Sequence, residues 1–212
     1  MHIPRINVHS LDDAAQAVDL GQTPAEIVFL SFSDSDLNAL ARAYATHAVP
    51  KPTLRLASLA SLRHPFSIDL YLEHVCASAK LIVARVLGGA EYWRYGVDEL
   101  AMLARRIGVR LALLPGDRCA DKRLEEASTL PPETLIRFCR YFNEGGPQNL
   151  AACLDAFAAE LGAAKPPLLP VLDLTMVIVS TTLKTSHSLP TLSRLTVNVL
   201  TRPPMARCLT NL

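Results

Sequence analysis

Hydrophobic positions along this chain alternate between two kinds of pattern. Short, nearly unbroken apolar runs occur at EIVFLSF (26–32), TLRLASL (53–59), KLIVARVL (80–87) and VRLALL (109–114). Runs of this length, rich in Val, Ile, Leu and Phe and closed by polar or Gly/Pro residues, predict strands buried on both faces. Between them the apolar residues fall at helical spacing. Leu37, Leu40, Ala41, Tyr44, Ala45 and Ala48 form one stripe, and Ile68, Tyr71, Leu72, Val75 and Ala79 a second. In GVDELAMLARRIG (96–108) the buried set is expected to be Val97, Leu100, Ala101, Ala104 and Ile107, with Gly108 placed to stop the helix. Ser33 and Asp36 have capping-box spacing at the first of these helices.

Strand and helix therefore alternate, which predicts an α/β fold: an open, mostly parallel sheet with helices on both faces. A helical pair follows. PETLIRFCRYF presents Leu135, Phe138, Cys139 and Phe142, and QNLAACLDAFAAELG presents Leu150, Cys153, Leu154, Phe157, Ala158 and Leu161, with EGGP (144–147) as the turn between them. The expected organisation is a sheet domain over 1–130, the helical pair over 131–162, a proline-rich linker over 163–170 and a tail over 171–212. The tail has no acidic residue after Asp173, no glycine after Gly162 and no aromatic after Phe157, so it is expected to be poorly ordered and foreign to what precedes it.

Composition narrows the function classes. Of the 212 residues 50% are hydrophobic and 19% charged, which suits a globular chain. A formal charge of +1 without any basic cluster argues against nucleic-acid binding. Cys76, Cys119, Cys139, Cys153 and Cys208 are scattered, with no C-x-x-C pair, so neither a disulfide framework nor a zinc site is expected. The first residues lack the apolar core of a secretion signal. The most apolar window, 168–183, contains Asp173 and is shorter than the roughly 20 residues that span a bilayer. The expected location is the cytoplasm, with no membrane partner.

Ligands of open parallel sheets bind beyond the carboxyl ends of the strands. Four connections should meet there: 31–36, 62–65, 87–96 and 114–117. The third, LGGAEYWRYG, places Gly88 and Gly89 before Tyr92, Trp93, Arg94 and Tyr95, and Trp93 is the sole tryptophan. Each feature also has a plain structural reading. Asp34 and Asp36 suit helix capping better than metal binding, His64 before Pro65 suits a turn, and Gly88 and Gly89 belong to no phosphate-binding motif. Arg85 is harder to explain, because it interrupts a strand that should be apolar throughout. It must be paired, with Asp69 or Glu99 as internal candidates, or it must face a ligand carboxylate. The substrate-binding candidates are thus Arg85, Gly88, Gly89, Tyr92, Trp93, Arg94 and His64. No catalytic residue and no metal ligand set can be read from the spacing.

Several ordered blocks resemble one family. They are AVDLGQTPAEIVFLSFSDSDL (17–37), LRLASLASLRHPFSIDLYLE (54–73), RVLGGAEYWRYGVDEL (85–100), LALLPGD (111–117) and STLPPETLIRFCRYFNEGGPQNLAACL (128–154). Together they are similar to the N-terminal region of the CobN-type large subunit of cobaltochelatase, a relative of the magnesium chelatase large subunit. The resemblance implies a role in ATP-dependent insertion of cobalt into hydrogenobyrinic acid a,c-diamide during aerobic cobalamin biosynthesis. It implies AAA+ ATPase subunits and a corrinoid substrate as partners, with ATP, magnesium and cobalt used by the whole assembly and none bound by this chain. Family members are several-fold longer, and from about residue 170 the sequence no longer follows them. The expectation is a fragment without the metal-insertion site, inactive by itself. The alternatives are a stand-alone tetrapyrrole-binding module, a split subunit completed by a second chain, or a non-functional gene remnant.

Overall fold

In the computed structural model, residues 17–48 and 51–162 are described. The linker expected over 163–170 and the tail over 171–212 lie outside them. The elements are β1 (Ile27–Ser31), α1 (Asp34–Thr46), β2 (Leu54–Ser58), α2 (Pro65–His74), β3 (Leu81–Val86), α3 (Arg94–Ile107), β4 (Arg110–Pro115), α4 (Lys122–Ala127), α5 (Pro132–Glu144) and α6 (Pro147–Glu160). All strand pairings are parallel, in the order β2-β1-β3-β4, with Ile27 opposite both Leu54 and Leu81, and Leu81 opposite Arg110. The α/β architecture expected from the alternation is the one observed.

Right-handed crossovers decide where the helices go. From β1 the chain steps outward through α1 to β2, then returns through α2 past β1 to β3 and continues through α3 to β4. Steps in opposite directions put α1 on one face of the sheet and α2 and α3 on the other. Val28, Leu30, Ile82, Ala84, Val86, Leu111 and Leu113 pack on the α2/α3 side, with Leu124 of α4. Ile27, Phe29, Leu81, Val83, Ala112 and Leu114 pack on the other, against Leu40 of α1, Phe138 and Tyr141 of α5, and Phe157 of α6. Both faces are covered, which is why the strands read as continuous apolar runs.

Two local expectations need correction, and one helix was not expected at all. In α1 the fully buried residues are Leu40 and Ala43, with Leu37 and Tyr44 partly buried, whereas Ala41, Ala45 and Ala48 are exposed. The packed face is rotated because the helix meets α6 as well as the sheet. Ile107 is 44% exposed, since α3 ends there and Gly108, at φ 73°, turns the chain away. Helix α4, with six residues, is too short to show a period; Asp121 caps it, accepting from the Arg123 and Leu124 amides.

The outer edge of β4 is closed by side chains and backbone of the segment that follows α4. Thr129 Oγ1 accepts from the Leu111 amide at 2.7 Å and Ser128 Oγ from the Leu113 amide at 2.9 Å, while Thr129 N donates back to Leu111 O. Covering an edge in this way removes a template for strand addition. Cys76 and Cys153 are buried as free thiols, and burial pushes the Cys76 thiol up to about 12. Among the described residues no helix is long and apolar enough to cross a membrane.

Candidate functional site

The sheet order reverses between β1 and β3, so the crevice at their carboxyl ends is the switch point where α/β folds commonly bind ligands. Ser31 and Arg85 face each other there in register. Arg85 takes the same side of β3 as Leu81 and Val83, toward α1 and α5, and is 8% exposed. Its Nη1 donates to Asp36 Oδ2 at 2.7 Å and its Nη2 to Asn143 Oδ1 at 2.8 Å. The guanidinium lies 5.5 Å from the Phe142 ring centroid, and that ring stacks on Phe29. Ser31 Oγ donates to the same Asp36 oxygen at 3.0 Å and accepts from Ser33 N.

The internal partner of Arg85 is therefore Asp36, with Asn143, and neither Asp69 nor Glu99. Asp69 instead accepts from the Tyr95 hydroxyl. The capping-box reading of Asp36 is half right. Ser33 does cap α1 through the Asp36 amide at 3.3 Å, but the Asp36 carboxylate is held by Arg85 and Ser31. A buried ion pair is tolerated only when its remaining polar atoms are satisfied. Here one atom is not: Arg85 Nε is buried without a hydrogen-bond partner among the described residues. The crevice is filled by the protein's own charges.

On the opposite face lies the LGGAEYWRYG connection. Gly88 and Gly89 adopt φ of 82° and 77°, a region that favours glycine, and turn the chain off β3 into a 3-10 turn at Ala90–Trp93. The amide that follows them, Ala90 N, donates to Asp121 Oδ2 at 2.8 Å. A Cβ on Gly89 would sit 2.8 Å from that oxygen. The paired glycines thus receive an anion, but it is the carboxylate that caps α4. Trp93 is buried, its Nε1 donates to Leu62 O at 2.7 Å, and its ring lies flat against Gly96, where a Cβ would come within 2.2 Å. His64 is the cap of α2, its Nδ1 accepting from Phe66 N at 3.1 Å.

Tyr92 is exposed and meets Phe32 edge-on, with centroids 5.3 Å apart. Its hydroxyl accepts from Arg63 Nη2 at 3.0 Å, and the Arg63 guanidinium carbon lies 5.8 Å from the Tyr92 centroid. Phe32, Arg63, Ile68 and Tyr92, with Trp93, Arg94 and Tyr95, enclose an open pocket of about 280 Å³. Of the expected site residues the fold brings Tyr92, Trp93 and Arg94 together here. Gly88 and Gly89 shape the turn behind them, His64 serves the adjoining helix cap, and Arg85 is on the other side of the sheet. Sequence reasoning missed Arg63 and Phe32. Their only signal was position: Phe32 follows β1 directly, Arg63 comes five residues after the end of β2, and both lie in the connections 31–36 and 62–65 expected at this edge.

This pocket offers flat aromatic walls and two guanidinium groups. Arg63 has a neutral partner, and Arg94 Nε stands 3.8 Å from Asp98 in an exposed pair of small weight. That combination suits a flat ligand fringed with carboxylates or amides. Among the described residues no group of three or more His, Cys, Asp or Glu side chains could hold a metal ion.

No family model matches the chain. It is, however, 43% identical over 174 residues to the aerobic cobaltochelatase subunit CobN of a Sinorhizobium species. That match takes in 81% of this chain and 14% of the relative. A second relative of the same name, from Pseudomonas aeruginosa, is 43% identical over 130 residues, 61% of this chain and 10% of that protein. The chain is of the CobN type. A solved structure agrees: the catalytic subunit of cobaltochelatase from Mycobacterium tuberculosis superposes with a TM-score of 0.55 at 25% identity, over 69% of this chain and 11% of that one. The CobN-type chain thus spans about a seventh or less of the length of the proteins it matches.

Proposed function

We propose that this CobN-type domain serves a cobaltochelatase large subunit by contacting the rim of its corrinoid substrate, hydrogenobyrinic acid a,c-diamide. Cobalt insertion itself belongs to the much larger part of such a subunit that this chain does not span. ATP hydrolysis belongs to separate AAA+ partner subunits. The observation that carries this reading is the pocket of Phe32, Arg63, Tyr92, Trp93 and Arg94 at the carboxyl edge of the sheet. Aromatic rings give the macrocycle a flat apolar wall, and the guanidinium groups answer its peripheral carboxylates.

Trp93 is the only tryptophan and lines that pocket, so its emission reports binding directly. Titration with the corrinoid is expected to quench it along a saturable curve. Arg63→Ala is expected to weaken binding by about tenfold, the weight of one charge-assisted hydrogen bond. Emission that stays unchanged at high corrinoid concentration, or identical binding by wild type and Arg63→Ala, overturns the assignment of this pocket. The chain mixed with both ATPase subunits, ATP, Mg²⁺ and Co²⁺ is expected to insert no metal, and measurable insertion would show that the activity needs nothing beyond these residues.

A further inference from the structure

Asp121 stands in the connection between β4 and α4, and its two carboxylate oxygens have separate tasks. Oδ1 accepts from the amides of Arg123 and Leu124, at 2.9 and 3.3 Å, and so caps α4. Oδ2 accepts from the amide of Ala90 at 2.8 Å, across 31 residues of sequence. Capping engages one oxygen only, and Asn or Ser performs it as well as Asp. The tie to Ala90 needs the second oxygen, and among these side chains only a carboxylate carries two acceptor oxygens.

Ala90 opens the 3-10 turn Ala90–Trp93, which delivers Tyr92 and Trp93 to the aromatic pocket. Nothing local stiffens the start of that turn. Gly88 and Gly89 precede it with positive φ, and Gly89 has no side chain to cap it. Asp121 supplies the missing acceptor from outside. The seat fits a carboxylate closely, since a Cβ on Gly89 would press against the same Oδ2. Arg123 also reaches across, to Glu91, but the Glu91 side chain is 70% exposed and such a pair weighs little.

We propose that Asp121 is a positioning residue for the corrinoid pocket: through the Ala90 amide it holds the turn that carries Tyr92 and Trp93 in the shape that receives the ligand. The proposal rests on the corrinoid reading for the ligand and on the two-sided carboxylate for the residue. Asp121 is not among the side chains that line this pocket, so it acts through the turn. That gives its loss a distinctive sign. Removing a negative charge near a site for an anionic ligand tightens binding by electrostatics alone. Removing the anchor of the turn weakens it.

Asp121→Asn separates the two tasks, because its one oxygen answers the α4 amides while its NH₂ sets a donor against the Ala90 donor. In the whole chain, checked for wild-type circular dichroism, the Ala90 amide is expected to exchange at least tenfold faster, with Leu124 unchanged. Corrinoid titration followed by Trp93 emission is expected to show binding about tenfold weaker, the weight of one charge-assisted hydrogen bond. Asp121→Ser, whose single hydroxyl also caps a helix, is expected to repeat both changes. Glu91→Gln removes the same charge from the turn itself and is expected to bind at least as tightly as wild type. Wild-type or tighter binding by Asp121→Asn, or an Ala90 amide as protected as before, overturns the proposal. Absence of Trp93 quenching in the wild type sinks the corrinoid pocket and this role with it. Quenching that Asp121→Asn keeps in full sinks the role of Asp121 alone.

Discussion

Arg85 sits 8% exposed inside an otherwise apolar strand, held by the Asp36 carboxylate and the Asn143 side-chain oxygen. Its place inside an apolar run predicts that it meets either an internal partner or a ligand carboxylate, because an isolated buried charge is not tolerated. The identity of the partner is invisible in the sequence, since Asp36 lies 49 residues away and already has a plain role in helix capping. Removing one side of a buried pair strands the other charge and costs about 3 kcal/mol or more. Asp36→Asn is therefore expected to lower the urea-unfolding free energy by about that amount, whereas Asp34→Asn, exposed in the same helical turn, shifts it by about 0.5 kcal/mol. Equal effects from the two substitutions would show that Arg85 draws nothing from its carboxylate partner.

At the scale of elements, unbroken apolar runs located the four strands among the described residues, and helical periodicity five of their six α-helices, each long enough for burial to imprint a repeat. It failed where a helix meets more than one neighbour, as in α1, or is only six residues long, as in α4. Helix α3 shows how packing reverses a propensity. Alanine at position 96 would favour the helix by up to about 1 kcal/mol over glycine. Its Cβ, however, would stand 2.2 Å from the Trp93 ring, which fills the space a side chain needs. Gly96→Ala is expected to destabilise the domain and to shift Trp93 emission to the red as the indole leaves its cavity and its bond to Leu62. A rise in thermal stability with unchanged emission would mean that the ring adapts at no cost.

For the whole molecule the consequence of the strand order is a gradient of protection. β1 and β3 are flanked by strands on both sides and buried along their whole length, while β2 is an edge strand with half-buried positions. In native-state hydrogen exchange the amides of β1 and β3 are expected to be the slowest and those of β2 to exchange well before them. The other edge, β4, should follow the centre more closely, because Ser128 and Thr129 satisfy its outward amides. Exchange of β2 as slow as that of β3 would contradict this order.

What the sequence determined by itself was the alternation of buried strands with amphipathic helices, the glycine-bearing turns, and the blocks that mark the CobN type. These depend on short continuous apolar runs, on the local period of 3.6 residues and on side-chain chemistry, all carried by neighbouring residues. Only the tertiary structure decided that β1 and β3 are neighbours, that Asp36 closes on Arg85, and that Arg63 and Phe32 join Tyr92, Trp93 and Arg94. The physical reason is that a local pattern encodes whether a residue is buried, while the handed crossovers and the order of strands decide what it is buried against.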